Sequence, residues 1–491
     1  MDFYGIPRAL KRYTFEEKMR VLCYFSRKLL EVQGNVSVDK LIKGPYPWEL
    51  ETLLLFSLKA TPEYSDNDFI GKNINRFIEM INLVRNFQHP SLTKQSSNNN
   101  FVNYLITSFG LNQFHSQEFL PYKYYRYSYI FNFENEQLNM KQIFYEYFGV
   151  NYNDFLTLIS MLNILFATGK EIDNGIFNYL IFNVYPKVYK HLFITVEEHN
   201  YELDKITQAQ EDYLYCLRPT YKYPFIVNNN KVYIPLPHLL GKSITSSLLY
   251  RLTDGNDKIR TIFGKEVLEN YMYDLLNNSL VYDEVIKEKK YIGRNKSEER
   301  TLDVMVRENN KYLLIDCKST VPNIGVRVFN DSSFDKIIEI LVKSIIQVYN
   351  NITKKFLIEY NFFLVNDNID INNVYGAVVV LEDSYINRDI LYRNAAYKLK
   401  IDIETDHFKW FINHIKLVNL YDVEKYSLVG CSIIEGFEKQ RTEGSYSDYP
   451  LVNINSKNRK IQNVDYLRFR DKWLESVNKI TMLMQKDGII E

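Results

Sequence analysis

The sequence predicts a multidomain α+β or α/β protein. It divides into a mainly helical region over 1–215, a hairpin-and-helix connector over 216–257, a mixed-sheet domain over 258–400 and a helical extension over 401–491. Three observations lead there. The chain has 491 residues, and domains run to roughly 100–200 residues each. Apolar residues recur at three- and four-residue spacing through the first part, the signature of helices with one buried face. Past residue 258 short β-patterned runs separated by turn residues take over.

The elements follow in order. Phe15 to Val32, Pro47 to Leu58, Ile74 to Asn86 and Phe144 to Thr168 read as helices. Pro47 suits a first turn, and Asp154 is a start signal ahead of an apolar run. That run, Phe155 to Ala167, is too short to span a bilayer and carries Thr157, Ser160 and Asn163, so it reads as a buried core helix. Lys94 to Asn100 is polar and reads as a loop. Tyr223–Val227 and Lys231–Ile234 form a hairpin across Asn228, Asn229 and Asn230, closed off by Pro235 and Pro237. Ile244 to Arg251 is helical, and Asp254-Gly255-Asn256 breaks it. From Lys258 to Glu382 the order is helix, three strands, helix, strand. Helical pieces at Phe408–Val418 and Tyr466–Gln485 flank a turn at Gly444–Ser447.

The segment Tyr122 to Tyr129 interleaves rings with Lys123 and Arg126. Such a surface stacks bases and holds phosphates. Yet Tyr125, Tyr127, Tyr129, Phe131 and Phe133 alternate with period two, the pattern of a half-buried aromatic strand, and that reading is preferred.

Composition excludes several classes. Sixty Lys and Arg balance sixty Asp and Glu, which argues against a polycation that coats nucleic acid and against an acidic tail protein. The balance is an average: Lys287–Arg300 holds six basic and three acidic residues, and Met1–Leu30 seven and three. The 40 Tyr and 31 Phe against 3 Trp read first as AT-rich coding bias. The N-terminus has no apolar leader, and no membrane span is expected. Cys23, Cys216, Cys317 and Cys431 are far apart, so neither a zinc site nor a disulfide framework is supported, and a cytoplasmic setting is expected. Gly241-Lys242-Ser243 lacks the glycine of a phosphate loop, since Leu236 stands in its place; GxGxxG and HExxH are absent, and no ATPase or methyltransferase motif is found.

Chemistry concentrates in Arg300 to Thr320. Thr301–Arg307 and Lys311–Lys318 read as two strands joined by Glu308-Asn309-Asn310. Side chains two apart share a face, so Asp316 and Lys318 point one way while Leu313, Ile315 and Cys317 point into a core. Leu302, Val304 and Val306 form the apolar set of the first strand, and Asp303 lies opposite them. The hairpin brings Asp303 beside Asp316. Two facing carboxylates resist joint ionisation unless a cation offsets them. Mg²⁺ suits two carboxylates plus substrate phosphate, and Lys318 adds positive charge where phosphate gains negative charge. This is an arrangement for metal-assisted phosphodiester hydrolysis.

Asp303, then Asp316-Cys317-Lys318, resembles the motif of the PD-(D/E)XK nuclease superfamily, which has the restriction-endonuclease-like fold. The likeness covers about 258–385. Gly264-Lys265-Glu266-Val267-Leu268-Glu269 is similar to the family's helical glutamate pattern, one position longer. Glu269 shares a face with Ile262, Met272 and Leu276, and is chosen over Glu266, which shares one with Asn270 and Tyr273. The helix from Ser333 to Asn350 and the strand from Tyr375 to Leu381 follow in the family's order. Leu302 replaces the motif proline. Gln347 is followed four residues on by Asn351, so the exonuclease variant's Gln-x-x-x-Tyr is not met.

The resemblance implies a Mg²⁺-dependent enzyme, with Mn²⁺ able to substitute, acting as a DNA endonuclease in DNA processing or antiviral defence against foreign DNA. Asp303, Asp316, Glu269 and the Cys317 backbone carbonyl would hold metal, with Lys318 at the attacking water. Lys336, Lys343 and Gln347 share a helical face that could line the cleft, alongside Lys123 and Arg126 as substrate contacts. A protein partner for the helical N-terminal half and an oligomer are compatible with this reading. The alternative is a nucleic-acid-binding or partner-interaction module without catalysis.

Overall fold

The computed structural model describes residues 1–31, 45–61, 73–89, 101–113, 118–167, 184–253, 256–320, 324–327, 331–364, 369–442 and 460–486. The loop expected at Lys94–Asn100, the turn at Gly444–Ser447 and most of the Asp254–Asn256 breaker lie outside them.

The protein is a helix-rich mixed α+β structure built on a five-stranded sheet. The elements that position the site are, in chain order, α1 (Leu120–Asn132), α2 (Glu269–Asn277), β1 (Glu284–Lys287), β2 (Val304–Glu308), β3 (Lys311–Lys318), α3 (Asp331–Asn350), β4 (Val374–Val380), α4 (Arg388–Leu399), α5 (Asp406–His414), β5 (Ile415–Asn419), α6 (Leu420–Ser427) and α7 (Val464–Lys486). The sheet order is β5-β4-β3-β2-β1. β1, β2 and β3 pair antiparallel, whereas β3–β4 and β4–β5 pair parallel. The parallel pairs need crossovers: α3 links β3 to β4, and α4 with α5 links β4 to β5.

Both faces of this sheet are buried, as a layered packing with helices on each side requires. Leu313, Ile315 and Cys317 of β3 and Tyr375, Ala377 and Val379 of β4 enter a first core with α1, α2 and α6. Tyr312 and Leu314 of β3 and Val374, Val378 and Val380 of β4 enter a second core with α3, α4 and α5. A third core gathers the N-terminal helices and one face of a small sheet, Phe193–Thr195, Phe225–Asn228 and Lys231–Tyr233: Ile194 and Ile226 enter it, whereas Phe193 and Phe225 enter the first. In that sheet Asn229 and Asn230 take φ of 49° and 61°, the left-handed pair that a two-residue hairpin turn demands and asparagine tolerates.

Several expectations change. Tyr122–Tyr129 is not a strand but part of α1, started by Pro121 in its first turn. Phe144–Thr168 is interrupted: Met140–Phe148 ends at Gly149, φ 71°, and a second helix runs Tyr152–Ala167. Phe408–Val418 is not one helix; α5 stops at His414, and Ile415–Asn419 becomes edge strand β5. The 401–491 region is therefore not wholly helical. The cores also cut across the boundary at 215, since helices between 120 and 162 pack in the first core beneath the sheet, and the strand Phe225–Asn228 sends Phe225 into that core and Ile226 into the third. No described helix is long and apolar enough to cross a membrane.

Candidate active site

The site forms where β3 and β4 end and β2 begins. Val304 pairs with Ile315, so the next positions outward, Asp303 and Asp316, face each other across the ladder. The chain bends at Asp303, and Leu302, which strict alternation would put with Val304 and Val306, packs in the second core instead. Because β2 starts only at Val304, the Cys317 N–H has no strand partner there. Asp303 Oδ2 accepts it at 2.6 Å, which fixes this carboxylate against β3, while the Cys317 thiol is buried in the first core.

Asp316 is 1 % exposed. Lys318 Nζ donates to its Oδ1 at 2.9 Å and lies 2.9 Å from Oδ2. Both oxygens of this carboxylate therefore lie against the Lys318 ammonium, and Oδ2 has no further hydrogen-bond partner.

Glu269 comes from the helical segment that precedes β1. Phe263–Leu268 forms a π-helical turn immediately before it, a distortion that often accompanies functional sites. Gly264 allows this turn to lie on the end of β3, for a Cβ there would meet Ser319 Oγ at 3.2 Å. Glu266 turns outward and accepts from Asn135 Nδ2 at 2.9 Å. Burial, then the charges of Asp303 and Glu288, push the Glu269 carboxyl up to about 8. Burial and Asp316 push Asp303 up to about 7. Burial also raises Asp316, against the pull of Lys318. Burial works to lower the Lys318 ammonium, but Asp316 and Asp303 outweigh it and hold it above its ordinary value. Three carboxylates and one ammonium thus act on one another.

Glu288 was not among the residues singled out from sequence. It follows β1, its field reaches Glu269 and Asp303, and its carboxylate accepts from Arg300 at 2.6 Å. No local motif marks it; only the pairing of its N–H with the Asp303 carbonyl, at 2.8 Å, brings it in.

The remaining sequence candidates go elsewhere. Lys336, Lys343 and Gln347 are exposed on α3, with Lys343 paired to Glu339 at 2.8 Å. Lys123 and Arg126 are 3 % and 0 % exposed and do not form a surface for bases. Arg126 makes a two-pronged pair with Glu424, at 2.8 and 2.7 Å, and Lys123 pairs with Glu118 and Glu382 at 2.9 and 3.2 Å. Their charges are spent internally.

Two other features lie apart from this cluster. Ser26, His238 and Glu51 stand in the order of a hydrolytic triad, with Ser26 Oγ 2.7 Å from His238 Nδ1 and His238 Nε2 3.5 Å from Glu51. All three are buried in the N-terminal core, and Ser26 Oγ also accepts the His238 backbone N–H, so a substrate has no approach. A cavity of about 460 Å³, lined by Tyr125, Tyr129, Tyr271, Asp274, Asp465 and Phe469 among others, lies further along α2.

Among the described residues no three His, Cys, Asp or Glu side chains converge closely enough to cage a metal ion by themselves. Mg²⁺ does not require such a cage: it keeps several waters and takes one or two carboxylates. The repulsion among Asp303, Asp316 and Glu269 fits a hard cation of that kind. No protein-family model, curated protein or solved structure matches the chain.

Proposed function

We propose that the chain is a Mg²⁺-dependent nuclease of the PD-(D/E)XK kind, cutting DNA internally in DNA processing or defence against foreign DNA. The observation that carries this reading is the meeting of Asp303, Asp316 and Lys318 at one sheet end, with Glu269 in electrostatic reach. Asp303, Asp316, Glu269 and the Cys317 carbonyl would hold the ion, which when bound polarises the scissile phosphate and offsets its charge. Asp303 is kept in place by the Cys317 N–H. Lys318, on the same face as Asp316, puts a positive charge beside the attacking water and the phosphate oxygens. Cytoplasmic action, an oligomer and a partner for the N-terminal helices belong to the same proposal.

A digestion panel tests it: supercoiled plasmid, linear duplex and single strand, each with Mg²⁺, Mn²⁺ or EDTA. The wild type should nick or cut with either metal and not in EDTA. Asp316→Asn and Lys318→Ala should each lose on the order of 10²-fold or more in rate. Undiminished cutting by purified Asp316→Asn removes the assignment. The second reading, a nucleic-acid-binding module without catalysis, is favoured by the seat of the Lys318 ammonium on Asp316 and by the lack of a three-side-chain cage among the described residues. It predicts tight, salt-sensitive binding with no nicking in any metal.

A further inference from the structure

Between β1 and β2 the chain makes a two-stranded antiparallel ribbon, Lys290–Ile292 paired with Glu298–Arg300. Its legs close at the base through Thr301 N–H to the Lys289 carbonyl and Lys289 N–H to Thr301 Oγ1, both at 3.0 Å. The next pairing inward is Glu288 N–H to the Asp303 carbonyl at 2.8 Å. The ribbon is thus joined directly to the carboxylate cluster.

Its two faces differ. Tyr291 and Glu299 form the inner face: the Tyr291 ring lies 4.8 Å from that of Tyr360, and Glu299 accepts from Lys355 at 2.5 Å. The outer face and the tip carry Lys290, Ile292, Arg294, Lys296, Glu298 and Arg300, all exposed; Lys290 is paired to Glu298 at 2.8 Å and Arg300 to Glu288 at 2.6 Å. Ile292 is 67 % exposed. Among the described residues neither Lys289 nor Lys296 is in an ion pair, and Arg294 reaches Glu359 only at 4.0 Å. Lys296 follows a tight turn closed by its N–H to the Gly293 carbonyl at 2.9 Å and holds a φ of 58°, a conformation that glycine or asparagine adopts at less cost. A cation therefore occupies the tip where the backbone would prefer another residue. Lys265 and Lys287 extend the positive rim toward the cluster, the first acting on Glu269 and the second bonded to Asn270 beside it at 2.5 Å.

We infer that this ribbon is an arm that grips duplex DNA and aligns its backbone with the carboxylate cluster. Lys289, Arg294 and Lys296 contact phosphates, and Ile292 lies against base edges or sugars. The inference rests on the nuclease reading for its substrate and adds the element that binds it. A two-stranded ribbon fits the major groove of a duplex, and at about 3.3 Å per residue this one projects on the order of 15 Å from its base. A flat single strand would need stacking rings on the outer face, and the ribbon's one ring, Tyr291, faces inward.

The test is binding of a fluorescein-labelled DNA duplex by fluorescence anisotropy in EDTA, titrated between about 50 and 200 mM salt, with the matching single strand as a second probe. Each phosphate contact contributes about 0.9 to the slope of log affinity against log salt. The Lys289→Ala/Arg294→Ala/Lys296→Ala variant should lower that slope by about 2–3 and weaken duplex binding about tenfold or more, with an unchanged melting temperature. Lys296→Gly separates binding from folding: it should lower the slope by about one while leaving the fold as stable or more so. A triple variant with wild-type affinity and slope overturns the arm, as does a loss confined to the single strand or a wild type that does not bind duplex. Cleavage is scored separately. A triple variant that binds as wild type while the wild type cuts leaves the nuclease reading standing without the arm. Arm-dependent binding with no cutting in any metal keeps the arm and removes the nuclease.

Discussion

Replacing Arg126 by Met should cost this protein about 3–5 kcal/mol, because it strands a buried carboxylate. Arg126 and Glu424 are both 0 % exposed. Around them Lys123 and Arg126 supply two positive charges, and Glu118, Glu382 and Glu424 three negative ones, a balance of 2 − 3 = −1. Without Arg126 the balance becomes 1 − 3 = −2, and Glu424 keeps only the Tyr271 hydroxyl, which donates at 2.7 Å. Without Glu424 instead, the remaining charges cancel at 2 − 2 = 0. Glu424→Met should therefore be the milder substitution, and Arg126→Met/Glu424→Met, which restores −1, should be more stable than Arg126→Met alone. Urea unfolding followed by Trp473 fluorescence reads this region, since that ring packs on Tyr124 of α1 at 5.5 Å; Trp48→Phe and Trp410→Phe isolate its signal. Arg126→Met within about 1 kcal/mol of wild type, or a double variant no better than Arg126→Met, would refute the reasoning. None of these substitutions should change the salt dependence of DNA binding.

Two further perturbations follow from burial. His199 is 0 % exposed, and burial pushes its imidazole from 6.5 down to about 4. Between those values the unfolded chain takes a proton that the folded chain refuses, so stability is lost as pH falls from 6.5 toward 4, by at most about 3 kcal/mol. Urea midpoints at pH 7 and pH 4 should converge in His199→Phe relative to wild type; an unaltered acid sensitivity rejects the attribution. Gly376 of β4 lies under α3, where an added Cβ would come within 2.3 Å of Val348 Cγ1 and 2.8 Å of Ile352 Cδ1. Gly376→Ala should destabilise by about 1–3 kcal/mol, and Val348→Ala should recover part of it; a neutral Gly376→Ala in thermal melts contradicts this packing.

Local patterns carried the sequence reading a long way. Ile74–Asn86 emerges with the limits its periodicity gave, and the strand-turn-strand expected over Thr301–Lys318 is present from Val304 onward, where turn residues and alternation agree. The juxtaposition of Asp303 and Asp316 was legible for the same reason: it depends on a short hairpin. What failed was non-local. α1 is buried around its circumference, with Tyr122, Lys123, Tyr124, Arg126, Tyr127 and Phe131 all inside, so it has no polar stripe from which to read a helical period. Rings at every second position then imitated a strand. Of the carboxylates that hold Lys123 and Arg126, Glu118 is near in sequence, but Glu382 and Glu424 lie far along the chain, outside any local window. β5 was missed because five residues attached to a helix acquire strand character only from the edge of β4.

The distance between Arg126 and its partner also sets a schedule. Glu424 lies 298 residues later, and at about 5–20 residues per second a ribosome needs about 15–60 s to deliver it after Arg126 emerges. During that interval α1 carries cations that cannot yet be buried, and the first core lacks α6 and Tyr466. That core is therefore completed only once Glu424 and Tyr466 have been made rather than domain by domain, and a fragment cut after β5 would leave Arg126 without the Glu424 carboxylate that lets it enter.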